Sequence, residues 1–258
     1  MTFYGKTVYY KYRTLTVFLW LFWLSPLSWS ESPKVYIIGV EGLSYYPHYS
    51  FDREYGYQGV YKEILDLFAA KNGYSFTYSA MPVDRLYEAL LVHKTVDFKY
   101  PDHPLWKAPL KQPYKVVYSE PMVNFTDGLM VLPENKGKGL DGLSMLGIPR
   151  GFTPVGYEQF IANGTIKLHD NPSFGALLRM AVKGRLDGIY INVHVARHHL
   201  KTRLFLPGGL VFDDSLPYVS DSYRFATVKH PKVMKEFDKF LSEEKAKIEL
   251  IKRRFDIE

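Results

Sequence analysis

The run from Ser173 to Asn192, SFGALLRMAVKGRLDGIYIN, decides the fold. Ser173 stands where a helix N-cap belongs, and Phe174, Leu177, Leu178, Ala181 and Val182 recur at helical spacing on one face. Gly184 follows the last periodic residue as a stop, Asp187 closes a turn, and Ile189, Tyr190 and Ile191 continue as a short buried strand. About ninety positions earlier the same grammar recurs. Val83, Leu86, Tyr87, Leu90 and Leu91 form an apolar helix face, and Val96, Asp97 and Phe98 open a strand. The match lies in pattern with few identities, so it predicts two similar α/β lobes and excludes a short-period solenoid.

Working outward toward the N-terminus, Val35 to Val40 reads as a strand covered on both faces. An aromatic loop from Leu43 to Tyr57 follows, then a helix carrying Val60, Ile64 and Phe68, ended by Asn72 and Gly73. Tyr74 to Tyr78 reads as the next strand. Together with the Val83 to His93 helix and the strand at Val96, this is a β-α-β-α-β run, which predicts a parallel sheet with right-handed crossovers. Lys99 to Pro113, with four prolines, reads as an ordered loop without regular structure.

Toward the C-terminus, Val116 to Pro121 and Gly128 to Leu132 read as extended, with a crossing into a second lobe around Phe125 to Leu129. Strands near Met145 to Ile148 and Ile166 to Leu168 flank a helix from about Pro154. Tyr218 to Tyr223 is expected to cross back, Tyr223 to Val228 to return a strand to the first lobe, and Pro231 to open a closing helix.

Residues 1–30 have the pattern of a secretory signal peptide, with an uncleaved membrane anchor as the competing reading, for which the apolar stretch is short of the roughly 20 residues a span needs. Lys6, Lys11 and Arg13 precede an apolar stretch, Pro26 breaks it, and Ser28 and Ser30 suit a cut before Glu31. Removing this segment lowers the formal charge from +6 to +3. That is too little and too scattered for a nucleic-acid footprint. The chain has no cysteine, so an exported form relies on its core without disulfides. The expected organisation is a first lobe over 31–128, a second over 129–221, and a return of 222–258 to the first.

With these elements in place, several short motifs resemble the bacterial extracellular solute-binding proteins of family 3, the polar amino acid-binding type with the type II periplasmic binding fold. Tyr46-Pro47-His48-Tyr49 resembles that family's Pro-aromatic stretch, and Tyr57 to Leu65 its Gly-x-x-Gly-aromatic start of a helix. Pro82 to Asp97 is similar to its Leu-x-x-Leu…Gly-Lys-x-Asp unit, and Tyr118-Ser119-Glu120-Pro121 to its Phe-Ser-x-Pro element. Lys183 to Gly188 is similar to its second Gly-Arg-x-Asp-Ala turn. The resemblance implies an α/β, two-lobed protein that closes on a small polar, anionic or aromatic solute. It implies a periplasmic monomer serving an inner-membrane ABC permease or a sensor receptor, with no cofactor, no metal and no nucleic acid.

The pocket departs from that family at two places. The Thr-x-x-Arg whose arginine clamps a carboxylate is absent between Asp97 and Tyr118, where Lys107 or Lys111 stands nearest, and lysine lacks the bidentate fork. The acidic residue that meets an amino group after the second-lobe strand is replaced by Asn192. An ordinary α-amino acid is therefore not the expected ligand.

The candidate ligand-binding residues are Glu41, Tyr46, Tyr49, Tyr100, Trp106, Lys107, Arg150, Gly151, Phe152, Thr153 and Asn192. The tyrosines and Trp106 offer flat walls, with packing beneath the proline loops as the competing role. Arg150 to Thr153 lies between a strand and a helix start, where free N–H groups favour an anion, and an ordinary capped turn is the alternative. Lys99, Asp102 and Lys107 are charges available to the pocket or to solvent. His194 and His198 share a helical face, but no third ligand stands at zinc-site spacing. The alternative function is a periplasmic lyase of the cyclohexadienyl dehydratase kind, which needs a carboxyl of raised pKa as general acid; Glu41 and Glu158 are the available groups.

Overall fold

Two copies of one strand order, joined by two long strands, make up the architecture. The computed structural model describes residues 1–2, 32–52 and 54–257, so the expected signal segment and its cleavage point lie outside the described residues. From Lys34 onward the chain forms one compact unit. Its strands are β1 (Lys34–Glu41), β2 (Ser44–Tyr45), β3 (Tyr49–Asp52), β4 (Gly56–Gln58), β5 (Tyr74–Met81), β6 (Phe98–Asp102), β7 (Val117–Tyr118), β8 (Val123–Val131), β9 (Met145–Pro149), β10 (Lys167–Asn171), β11 (Gly188–Asn192), β12 (Val211–Phe212) and β13 (Val219–Thr227). The helices are α1 (Val60–Lys71), α2 (Val83–Tyr87), α3 (Ala108–Lys111), α4 (Glu158–Ala162), α5 (Phe174–Val182), α6 (Val193–Thr202), α7 (Pro231–Glu243) and α8 (Lys245–Arg254).

In one half the strand order is β5-β1-β6-β13, and in the other β10-β9-β11-β8. Each half has three parallel strands and closes with an antiparallel one. The N-terminal part of β8 pairs with the N-terminal part of β13, from Val123↔Tyr223 to Asp127↔Val219, and among the described residues this ladder alone carries the sheet from one half to the other. Both crossings are thus uninterrupted strands.

The opening stretch folds as its pattern predicts. Ser173 accepts the Ala176 N–H, α5 buries Phe174, Leu177, Leu178 and Ala181, and Gly184 takes φ +65 just past the helix end. The matching turns of the two halves share a device. Asp97 accepts the Ile37 N–H of β1, and Asp187 accepts the N–H groups of Ser144 and Met145 at the start of β9, all at 2.7–2.8 Å. Each aspartate ties its own half's third parallel strand to the first.

Lys99 to Pro113 corrects the expectation of an irregular loop, since β6 runs on to Asp102 and α3 forms from Ala108. Pro101 is tolerated because the register against β13 slips here: Asp102 faces Arg224, whereas Lys99 faces Ala226. That bulge accommodates a residue without an N–H. The helix expected from about Pro154 starts later, at Glu158. Along the predicted Val83 to His93 helix, the last turn, Glu88–Val92, widens to a π-helix.

The core of the β1 half is aromatic. Phe98 stacks on Phe225 at 4.5 Å, and Phe68 meets Phe237 at 5.0 Å. Among the described residues, no helix is long and apolar enough to cross a membrane.

Candidate functional site

The C-terminal ends of the parallel strands in both halves converge on one cleft, the position where open α/β sheets bind ligands. The β1 half contributes Glu41 from the end of β1, Val83 and Tyr87 from α2, and Trp106 and Lys107 from the loop after β6. The other half contributes Gly151, Phe152 and Thr153 after β9, and Tyr190 of β11. Asp127, on the crossing strand β8, completes the lining. The enclosed space is about 20 Å³, room for one group the size of a water molecule.

Contacts between the halves explain why so little space remains. The Lys107 N–H donates to Thr153 Oγ1 at 3.2 Å, and the Asn192 N–H donates to the Tyr45 hydroxyl at 2.8 Å. The Tyr45 ring meets Phe152 at 5.5 Å and Phe174 at 5.3 Å. Gly151 has φ +87, and a Cβ there would stand 2.7 Å from the Cβ of Val83. Glycine is what permits this approach.

The charges around the cleft fall into two groups. Lys99 is fully buried and lies 3.7 Å from both Glu41 Oε1 and Asp102 Oδ1, with its ammonium 4.7 Å from the Tyr87 ring centre. Asp102 Oδ1 also accepts the Tyr87 hydroxyl at 2.8 Å and lies 3.5 Å from Lys111 Nζ. Lys107 pairs with Asp84 at 2.9 Å. Burial pushes the Glu41 carboxyl up, opposed by Lys99 and by the Tyr49 hydroxyl that donates to it. Burial lowers Lys111, opposed by Asp102. Every one of these lysines is matched by a carboxylate.

Asp127 is different. It is 6% exposed, its Oδ1 has no hydrogen-bond partner, and burial pushes its carboxyl up to about 8, with the Asn192 side chain pulling it down and Glu41 adding to the rise. No salt bridge reaches it among the described residues. The nearby hydroxyl of Tyr190 is also buried, beside the Val155 backbone N–H.

Of the eleven residues nominated from sequence, the structure brings Glu41, Trp106, Lys107, Gly151, Phe152 and Thr153 together on the cleft wall. Tyr49 lies behind that wall, buried among Tyr45, Tyr57 and Tyr61. Tyr100 packs edge-on to Tyr61. Tyr46 stands against His198 and Phe255. Arg150 is exposed and bonded through Nε to Asp170 at 2.8 Å. Asn192 caps α6 through the Val195 N–H and donates to Tyr223, on a separate cavity shared with His48 and Phe125.

Sequence reasoning missed Asp127, Val83, Tyr87 and Tyr190. For Asp127 a signal existed, a single acid in the otherwise strand-forming run VNFTDGLMV. Val83, Tyr87 and Tyr190 read as ordinary core, which they also are.

No family model matches the chain, and no curated protein matches it by sequence. Solved structures share its fold, a two-lobed type II periplasmic binding protein architecture. An ancestral arginine-binding protein bound to arginine superposes with TM-score 0.70 at 18% identity, covering 87% of this chain and 99% of that one. A histidine kinase sensor domain with similarity to periplasmic binding proteins gives 0.71 at 15% identity, covering 87% and 96%. An ancestral amino acid-binding protein, a precursor of cyclohexadienyl dehydratase, gives 0.66 at 18%, covering 86% and 95%.

Proposed function

We propose that this chain is a periplasmic solute-binding protein that closes two lobes, 129–221 and the remainder of the body, over a small solute. The β8–β13 ladder is the hinge, because among the described residues only these two strands join the sheet halves. The observation that carries the reading is an enclosed cleft lined by both halves and by the crossing strand. The direct contacts between the halves favour closure, and the solute adds to them the contacts that it makes with both halves at once. Neighbours of this fold include an arginine-binding protein and a kinase sensor domain, which suits either delivery to an ABC-type permease or signalling. The predicted leader at residues 1–30 would place the protein in the periplasm, as a monomer. The test is a thermal-shift screen of residues 31–258 with scattering on each hit. A saturable shift with compaction supports the reading; a confirmed ligand without compaction overturns the hinge mechanism.

One observation favours a lyase as second reading. Asp127 is a buried carboxyl that holds its proton near neutral pH, which is what a general acid requires. Mass analysis of each stabilising compound after incubation separates the two, since binding returns it unchanged and a lyase returns an eliminated product.

A further inference from the structure

We infer that the cleft is built for a protonated amine that carries no carboxylate, with Asp127 as the acceptor of its ammonium group. The inference rests on the solute-binding reading and names the ligand class for the same cleft.

Three observations converge on it. The first is the matching of cations. A ligand carboxylate needs a free cation or a fork of donors, yet Lys99 is held between Glu41 and Asp102, Lys111 contacts Asp102, and Lys107 contacts Asp84. Arg150, the arginine nearest in sequence to the cleft loop, is paired with Asp170. The second is the unmatched acceptor. The Asn192 side chain hydrogen-bonds to the Asp127 carboxyl, but Asp127 Oδ1 is buried on the cleft wall without a donor, and among the described residues the other groups that face it are Glu41 of β1, Tyr45 of β2, Tyr190 of β11 and Tyr223 of β13, none of them a cation. The third is the wall. Trp106, Tyr87, Phe152 and Tyr190 present aromatic surface, whose electron-rich faces attract an ammonium and also bury an apolar body.

The size of the enclosed space agrees. About 20 Å³ accepts one ammonium-sized head beside Asp127. The body of the ligand then lies along the aromatic wall of Trp106, Tyr87, Phe152 and Tyr190. In the bound state the ammonium converts the Asp127 carboxyl to its ionised form, so that the pair is held by charge-assisted hydrogen bonds. No proton need be taken up from outside, since the released proton passes to solvent.

The test uses the protein over residues 31–258 and four probe types of graded chemistry: methylamine, putrescine and phenethylamine as amines; N-acetylphenethylamine as the uncharged counterpart; phenylalanine as amine plus carboxylate; and 3-phenylpropionate as carboxylate alone. The expected result is a saturable thermal shift with at least one amine, none with the acetylated form, and weaker binding of phenylalanine than of phenethylamine. Asp127→Asn should weaken the best amine by about 10- to 100-fold, the loss expected for one charge-assisted hydrogen bond. Saturable binding of phenylalanine or phenylpropionate with no amine binding overturns the inference and leaves the solute-binding reading standing. Unchanged amine affinity in the Asp127→Asn protein overturns Asp127 as the acceptor. No shift from a broad panel of amines, amino acids and acids overturns the inference and the underlying reading together. The comparison of probes on the unmodified protein decides the ligand class even if the variant does not fold.

Discussion

Tyr45 and Asn192, 147 positions apart, are joined by a hydrogen bond from the Asn192 backbone N–H to the Tyr45 hydroxyl at 2.8 Å, with both residues buried. Tyr45 follows the first strand of one half and Asn192 ends the third parallel strand of the other. The bond therefore exists only while the halves are together, and it belongs to the closed form.

Tyr45→Phe keeps the ring contacts with Phe152 and Phe174 and removes the acceptor. In the closed form the Asn192 N–H is left buried without a partner, at a cost of about 1–3 kcal/mol, whereas in an open form water satisfies it. The expected outcome is a larger radius of gyration for the variant without ligand, read by small-angle scattering. An unchanged radius would show that this bond does not govern closure.

Gly151→Ala acts on the same equilibrium by sterics. The new methyl would stand 2.7 Å from the Val83 Cβ across the cleft, at a φ of +87 that L-residues avoid. The backbone strain alone costs about 1–2 kcal/mol. Global stability in denaturant should fall by no more than that, while ligand-induced compaction is lost. Retained compaction would mean that the cleft loop can move aside.

Asp127→Asn should change how stability depends on pH. The folded carboxyl titrates near 8, well above the usual carboxylate range, so between about pH 4 and 8 the folded state binds the extra proton and stability falls as pH rises. The slope approaches about 1.4 kcal/mol per pH unit within that window. Buried His48, lowered to about 3, and His199, lowered to about 4, act oppositely below about 6.5, where the unfolded chain binds the extra proton and stability falls as pH falls. The difference between wild type and variant isolates the aspartate. Denaturant midpoints from pH 5 to 8 should draw apart in favour of Asn as pH rises; parallel curves would refute the raised pKa.

Asp187→Ala removes the acceptor for the N–H groups of Ser144 and Met145 and for the Ser144 hydroxyl. Asp97→Ala removes that of Ile37 and the contacts with Lys229 and His230. Each should cost about 1–3 kcal/mol, and the double variant should show the sum, since the two share no partner. Chemical denaturation checks both. Strong non-additivity would mean that the halves do not unfold independently of these turns.

The fold was legible because its signals are local and repeated. The helix from Phe174, its serine cap, its glycine stop and the strand after Asp187 all follow from spacing within twenty residues, and the unit around Val83 repeats them. What was hidden depends on distant partners. Pro101 reads as a strand breaker until the slipped register against β13 is seen. Asn192 and Arg150 stand at positions where sequence order suggests a pocket, yet one is turned to cap a helix and the other to pair with Asp170. Asp127 gains its character from Glu41, Tyr45, Tyr190 and Tyr223, which arrive from four other strands.

The strand order also sets a timetable for a chain delivered N-terminus first. The half built on β9, β10 and β11 completes its sheet with β8, which precedes them, and with β12, so all its strands are available once Phe212 has emerged. The half built on β1, β5 and β6 must wait for β13, and until Phe225 arrives Phe98 lacks its stacking partner and the β6 edge stands unpaired. An unpaired apolar edge is an invitation to self-association. The inserted half is thus finished while the half that begins first is still open, and the last forty residues act as the latch that ends its exposure.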